Sequence, residues 1–309
     1  MSSRETTKYE FVFIVLALYG LWLELSSLFV ASVASALTKR RKRGRNFQTG
    51  EGKMRAISLQ SGSNGNAIFV EAGGKKLLFD AGISAKAVRT RLARYGYDAT
   101  ELDALFVSHR HGDHSKNTGV VHRAFGPALA MTHETFRYVN SRDPKVKVND
   151  VRYFREGESV ELGDVLVHTV ETPHDTDGSV AFVVEYAGKR LGILTDLGYA
   201  FSALGPLLQS LDAVFLESNY DPKMLKDGPY PEDLKRRIVG KGGHISNDES
   251  ALLLKRHGTK RLQWACLAHL SADNNQPDVA LSTHHRVNGN HVPLLVADRY
   301  GPTGVFEVK

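Results

Sequence analysis

Cysteine is nearly absent: the 309-residue chain has one, Cys266. A lone thiol excludes an intrachain disulfide and any zinc site built from several cysteines. It fits a reducing, cytosolic setting without requiring one. No repeat at a fixed period and no low-complexity tract occurs, so the chain is not a repeat array. A charge surplus is missing from most of the chain, despite a net charge of +6. Residues 1–53 hold nine Lys/Arg against four acids, a surplus of +5 that leaves +1 for residues 54–309. Charge therefore gives no warrant for a nucleic-acid partner at the main body, although a local basic face remains open. The sequence shows no aromatic platform of the kind that binds single strands. What is abundant is histidine, with 13 residues, so any metal would be bound by imidazoles and carboxylates.

Residues 11–37 form a long apolar run broken by Glu24, enough to cross a bilayer, which takes about 20 residues. The basic residues 39–45 would hold its C-terminal side in the cytoplasm. Ala34-Ser35-Ala36 has the small-x-small form of a secretory cleavage site, but the basic cluster behind it disfavours export. Met54-Arg55-Ala56-Ile57-Ser58-Leu59 reads as a natural start running into a first strand. Residues 1–53 would then be an extension from a mis-assigned start codon. The expectation is an N-terminal extension over 1–53 and a folded domain over 54–309. That domain is expected in the cytoplasm, free or, if 11–37 is a real anchor, tethered to a membrane.

Short strands are expected over 67–71 and 76–79, joined by a Gly73-Gly74 turn, and over 104–107, 165–170, 180–186, 190–194 and 213–216. Others are expected over 262–267, 292–297 and 305–308. Ser84 is placed to cap a helix carrying Val88, Leu92 and Tyr95 on one face. Ser246 is placed to cap another that runs to about His257, and 278–287 reads as a third. Strand-rich stretches alternating with isolated helices give an α/β or α+β class, with layered sheets covered by helices.

The sharpest signal is Ser108-His109-Arg110-His111-Gly112-Asp113-His114, which follows an apolar strand. Three histidines and an aspartate in six residues cannot share one face of a helix or strand. In a tight loop they can converge on a pair of cations, and neutral imidazole with carboxylate suits zinc, manganese or iron. No Ser or Cys nucleophile is then required, and Cys266, inside an apolar strand, reads as a buried structural thiol.

This motif resembles the signature of the metallo-β-lactamase fold superfamily. The resemblance continues in order through Thr172-Pro173-His174-Asp175, Leu194-Thr195-Asp196-Leu197-Gly198 and Leu267-Ala268-His269-Leu270-Ser271, each after a strand. It implies a four-layer αβ/βα sandwich with two divalent metal ions, zinc or manganese with iron as a third choice, at one edge of the sheets. Carried over position by position, His109, His111 and His174 would bind the first metal. Asp113, His114 and His269 would bind the second, and Asp196 would bridge them.

Within that superfamily the chain is most similar to the YycJ/WalJ (VicX)-type exonucleases. The similar stretches are Ser61-Gly62-Ser63-Asn64-Gly65-Asn66, Thr195-Asp196-Leu197-Gly198-Tyr199, Glu217-Ser218-Asn219 and Gly228-Pro229-Tyr230-Pro231. Further on, Gly243-His244-Ile245-Ser246-Asn247 and Asn274-Asn275 complete them. The resemblance implies a 5′-to-3′ DNA exonuclease whose nucleophile is a dimetal-bound hydroxide, with DNA as the partner. Asp113 would orient the attacking water as well as bind metal. His244 would donate to a phosphate oxygen or protonate the leaving oxygen. Asp80 would orient a ligand histidine, and the loop at 61–66 reads either as an ordinary turn or as an anion nest. His122, His133, His168, His257, His284, His285 and His291 read as structural or solvated.

The alternative is a small-molecule hydrolase of the same fold, acting on a thioester, lactone or cyclic phosphodiester. A regulatory protein whose site only binds is a third reading, disfavoured by the intact ligand set. Only 72 residues separate Asp196 from His269, too few for the β-CASP module of the RNA-processing relatives. No Gly/Pro-rich arm of the tRNA 3′-processing type is present either.

Overall fold

The computed structural model describes residues 52–289 and 291–309. The apolar run at 11–37 and the basic residues after it lie outside the described residues. Among the described residues no helix is long and apolar enough to cross a membrane.

Two seven-stranded sheets carry the fold. The first contains β1 (Met54–Gln60), β2 (Ala67–Ala72), β3 (Lys75–Phe79), β4 (Ala104–Phe106), β5 (Ala128–Met131) and β6 (Val151–Tyr153) in that order. The second contains β7 (Ser159–Leu162), β8 (Val165–Glu171), β9 (Val180–Tyr186), β10 (Lys189–Leu194), β11 (Ala213–Glu217), β12 (Trp264–Ala268) and β13 (Leu294–Val296). The last strand, β14 (Phe306–Val308), returns to pair antiparallel with β1.

Each sheet starts as an antiparallel meander and then turns parallel, at β3–β4 in one and β10–β11 in the other. Tight turns make the meanders: Gly73 and Gly74 join β2 to β3, and Ala187 and Gly188 join β9 to β10, all at positive φ. Two successive residues in that region match the twist of the flanking strands. Helices supply the parallel crossovers. These are α1 (Ala85–Ala93), a one-turn α2 (Gly112–Ser115), α3 (Thr118–Phe125) and α4 (His133–Arg142) on the first sheet. On the second they are α5 (Leu204–Gln209), α6 (Pro222–Asp227), α7 (Glu232–Val239), α8 (Asn247–His257) and α9 (Pro277–Asn288). Ser84 caps α1 by accepting from the Ala87 amide, and Ser246 with Glu249 forms a capping box on α8.

Alternation along the strands divides the apolar residues into layers. Phe79, Phe106, Phe182 and Phe215 fill the space between the sheets with Cys266, whose thiol burial pushes up. The ring of Phe182, on the second sheet, lies 5.1 Å from Phe79 and 5.7 Å from Phe106, on the first. On the outer faces, Leu78 and Leu105 pack with Val88, Leu92 and Val121 of the helices, and Val214 and Leu216 pack with Leu204, Leu208 and Leu254. Both faces of each sheet are thus covered, which is why the central strands read as continuous apolar runs. The layering is the expected αβ/βα sandwich.

The strands read from sequence all occur, with ends shifted by one or two residues. The expected strand at 262–267 starts at Trp264, because Leu262 closes a turn on Thr259. Strands β5, β6 and β7 and helices α2 to α7 were not anticipated, and the one-turn α2 stands where the sequence reads as a tight loop.

Candidate metal centre

The candidate ligands sit at strand ends, on one edge of the sandwich. Asp80 follows β3, His109 follows β4, His174 follows β8, Asp196 follows β10, and His269 follows β12. Asp80, Asp196 and His269 have φ of +65°, +58° and +57°, and these are three of the four non-glycine residues at positive φ among those described. That region costs a non-glycine residue energy and persists where surroundings over-determine it. Here it turns each side chain off its strand and back over the sheet edge. Gly82 lets the first of these turns approach the histidine loop, since a Cβ there would stand 1.6 Å from the Asp113 carbonyl oxygen.

Three imidazole nitrogens face one another. His109 Nε2 is 3.0 Å from His111 Nδ1, which is 3.1 Å from His174 Nε2. Burial and the neighbouring His114 hold His109 well below its ordinary pKa, and burial with His174 lowers His111 to about 4. His109 and His111 are therefore neutral, and the three nitrogens are aimed into a common space. Beside it, Asp113 Oδ2 lies 3.4 Å from both His114 Nε2 and His269 Nε2. Asp196 stands between the groups. Its Oδ2 is 3.2 Å from His114 Nε2, and its Oδ1 is 3.7 Å from His174 Nε2.

The second group carries an excess of negative charge. Burial opposes ionisation of Asp113, yet His114 and His269 hold it well below the usual carboxylate range. Burial likewise opposes a charge on His269, but Asp196, Asp113 and Glu217 push it up to about 10. His114 is raised against its burial by Asp196, Asp80 and Asp113. A cation placed among these carboxylates takes over the charge balance that these protons otherwise supply.

Four of the five candidate ligand histidines are fixed from behind by their other nitrogen. His114 Nδ1 meets Asp80 Oδ2 at 2.7 Å, as the sequence reading of Asp80 expects, and Asp80 also accepts from the Ser108 amide. His174 Nδ1 donates to the Gly243 carbonyl at 3.1 Å, and His109 Nδ1 lies 3.0 Å from Ser108 Oγ. His269 Nδ1 lies 3.1 Å from Glu217 Oε1. Such outer partners set tautomer and ring orientation in metal sites.

Glu217 is the residue that sequence reasoning missed. It is fully buried at the end of β11, between the ends of β10 and β12. Its two oxygens accept from the amides of Asp196, Leu197 and Ile245 and from Nδ1 of His244 and His269. Burial raises its pKa, but His244 and His269 bring it down to about 2. Its sequence signals are a carboxylate ending an apolar run and its place in the Glu217-Ser218-Asn219 stretch, neither of which assigns it a role. His244 is held at 2.8 Å by this carboxylate through Nδ1, which leaves Nε2 free, and its side chain lines the cleft.

The cleft over these groups has a volume of about 310 Å³. Its walls include Ser63, Asn219, Tyr230, Arg237 and Ser271. In the loop at 61–66, the amides of Ser61, Gly62, Gly65 and Asn66 are all bonded within the protein. Those four are not available to an anion, in keeping with the ordinary-turn reading. The side-chain Nδ2 of Asn66 lies 3.0 Å from His114 Nε2, so the loop braces the histidine cluster.

The residues fit two divalent cations. Six of the seven candidate ligands divide into the trio of His109, His111 and His174 and the trio of Asp113, His114 and His269. Asp196 groups with His109 and His114, one from each. Asp196 Oδ2 is buried without a hydrogen-bond partner, which is costly unless a cation completes it. Neutral imidazoles with carboxylates suit zinc, manganese or iron. Of the eight other histidines, only His244 falls in a group that could hold an ion, with Asp196, Glu217 and His269.

Residues 61–219 match the family described as the Metallo-beta-lactamase superfamily. Exodeoxyribonuclease YycJ of Bacillus anthracis is 31% identical over 222 residues, covering 72% of this chain and 84% of that protein. Exodeoxyribonuclease WalJ of Streptococcus pneumoniae serotype 2 is 31% identical over 227 residues, covering 73% of this chain and 84% of that one. Among solved structures, the metallo-beta-lactamase fold protein YhfI from Bacillus subtilis superposes with a TM-score of 0.63 at 17% identity, over 83% of this chain and all of that one.

Proposed function

The chain belongs to the metallo-beta-lactamase superfamily and is a hydrolase of that fold, and from this premise we propose that it is a DNA exonuclease working from 5′ ends. The observation that carries the substrate class is the 31% identity to two exodeoxyribonucleases across 84% of their length. His109, His111 and His174 would hold one divalent cation, Asp113, His114 and His269 a second, and Asp196 both. Bound there, zinc or manganese supplies Lewis acidity toward a phosphoryl oxygen and lowers the pKa of water toward neutrality. Residues 54–309 would form the catalytic domain, with 1–53 an extension, and the cytoplasm is the setting we assign to it.

The chain's own groups do the remaining work. Asp113 presents its carboxylate to the cleft and orients the attacking water. Glu217 holds Nδ1 of His244, so Nε2 is the atom that can pass a proton to the leaving oxygen. The same carboxylate, anionic and sealed from water, stabilises the imidazolium that this transfer requires.

The test uses the full-length protein loaded with Mn²⁺ or Zn²⁺ and linear duplex DNA labelled at 5′ or 3′ ends. Early release of the 5′ label, with the 3′ label retained on shortening strands, is expected. No cleavage with either metal at full occupancy, together with turnover of a thioester, lactone or cyclic phosphodiester, would favour the small-molecule alternative.

A further inference from the structure

With a net charge of only +1 over residues 54–309, cations lacking an acidic partner stand out. On the α7 wall of the cleft the cations are neutralised: Arg237 pairs with Asp175, Arg236 with Asp233, and Lys235 with Glu232. The rim at the loop 61–66 differs. Lys116, just past α2, donates to the Asn64 carbonyl at 3.0 Å, and the Asn64 amide donates to the Arg299 carbonyl at 3.2 Å. Arg299 Nη1 donates to the carbonyl of Leu270, the neighbour of His269, and Arg91 Nη2 donates to the Tyr300 carbonyl at 2.8 Å. Lys116, Arg299 and Arg91 thus make their side-chain hydrogen bonds to neutral oxygens, and these bonds link them in one strip that starts at the cleft, where Ser63 lines the wall.

Tyr300 stands in this strip and is 74% exposed. A single exposed aromatic is ordinary on a protein surface. This one sits on a tied loop: Asp298 Oδ1 accepts from the amides of Tyr300 at 2.6 Å and Gly301 at 3.1 Å. The ring is presented on a backbone that needs little further ordering, next to Arg299 in sequence and tied to Arg91 through the Tyr300 carbonyl. Asp298 is the acid of this strip and acts on Arg91, so the strip sets three cations against one carboxylate.

We propose that Lys116, Asn64, Arg299, Tyr300 and Arg91 form a track for a polynucleotide strand outside the metal cleft, with phosphates on the three cations and a base stacked on Tyr300. Cations that release counterions from phosphates and an aromatic face that accepts any base are how strands are held without sequence preference. The inference rests on the nuclease reading above, since a substrate confined to the cleft would never reach the strip.

The experiment compares the full-length protein with its Lys116→Ala/Tyr300→Ala variant on two substrates. One is a single-stranded oligonucleotide of about 20 residues, longer than a typical single-strand site. The other is bis(p-nitrophenyl) phosphate, which stays within the cleft. On the oligonucleotide, kcat/KM is expected to fall about ten-fold or more through KM, and its log–log salt slope to drop by about one. On the small diester the kinetics should match the wild type. A Lys223→Ala/Lys226→Ala control, on α6, should leave both substrates unchanged. Unaltered oligonucleotide kinetics, or an equal loss on both substrates, would overturn the track while leaving the nuclease reading intact. A wild-type protein that hydrolyses the small diester and no oligonucleotide would instead remove the nuclease reading, and the track with it.

Discussion

Asp196→Asn is expected to lower turnover by about a thousand-fold or more while the protein stays folded. The substitution keeps the volume of a side chain that is 3% exposed. It also keeps a residue type at ease with the φ of +58° found there. The backbone amide of residue 196 still donates to Glu217. What changes is the charge and one acceptor. Asp196 Oδ2 faces His114 Nε2 at 3.2 Å and has no other partner, so a neutral amide would offer N–H or carbonyl where a cation needs an anion. Metal content should drop below two per chain, and the melting temperature measured on metal-stripped protein should stay within a few degrees of the wild type. Normal turnover in the purified variant would end the two-metal assignment.

His244→Ala is expected to cost about a hundred- to ten-thousand-fold in kcat with both metals retained. His244 shares the Glu217 carboxylate with His269 but stands outside the two ligand trios. It also lies, with Asp196, Glu217 and His269, in a group whose donor atoms are close enough to hold an ion themselves. Metal analysis separates the two roles. A lower rate at full metal content makes His244 the proton donor, whereas metal lost in step with activity makes it a ligand.

The sequence made one half of the site legible because its residues are local. His109, His111, Asp113 and His114 crowd one loop, and no regular element can present them together. His174, Asp196 and His269 were legible because each follows a strand in a short stretch that carries the family resemblance, in the same order along the chain. Glu217 lies in a family-like stretch at the end of an apolar run, but nothing local gives it a role. Its importance comes from register: β11 lies between β10 and β12, Leu216 opposite Leu194 and Glu217 opposite Ala268. Three parallel strand ends therefore coincide, and the middle one serves both neighbours. The bracing role of Asn66 and the Arg299–Tyr300 loop escaped notice for the same reason, since each meets its partners only across long stretches of chain. Capping residues predicted α1 and α8 well because a cap is a local hydrogen bond. Strands β6 and β7 were missed because they are short and half-solvated, so apolar alternation is weak.

The central claim is that one buried polar cluster binds two cations and that both are needed for hydrolysis. The most direct measurement strips the full-length protein of metal and titrates Mn²⁺ back while following hydrolysis of end-labelled DNA. The geometry of the two trios with Asp196 between them predicts that activity returns only as the second equivalent binds and is complete at two per chain. Full activity in the metal-free protein, or saturation at a single equivalent, would contradict it.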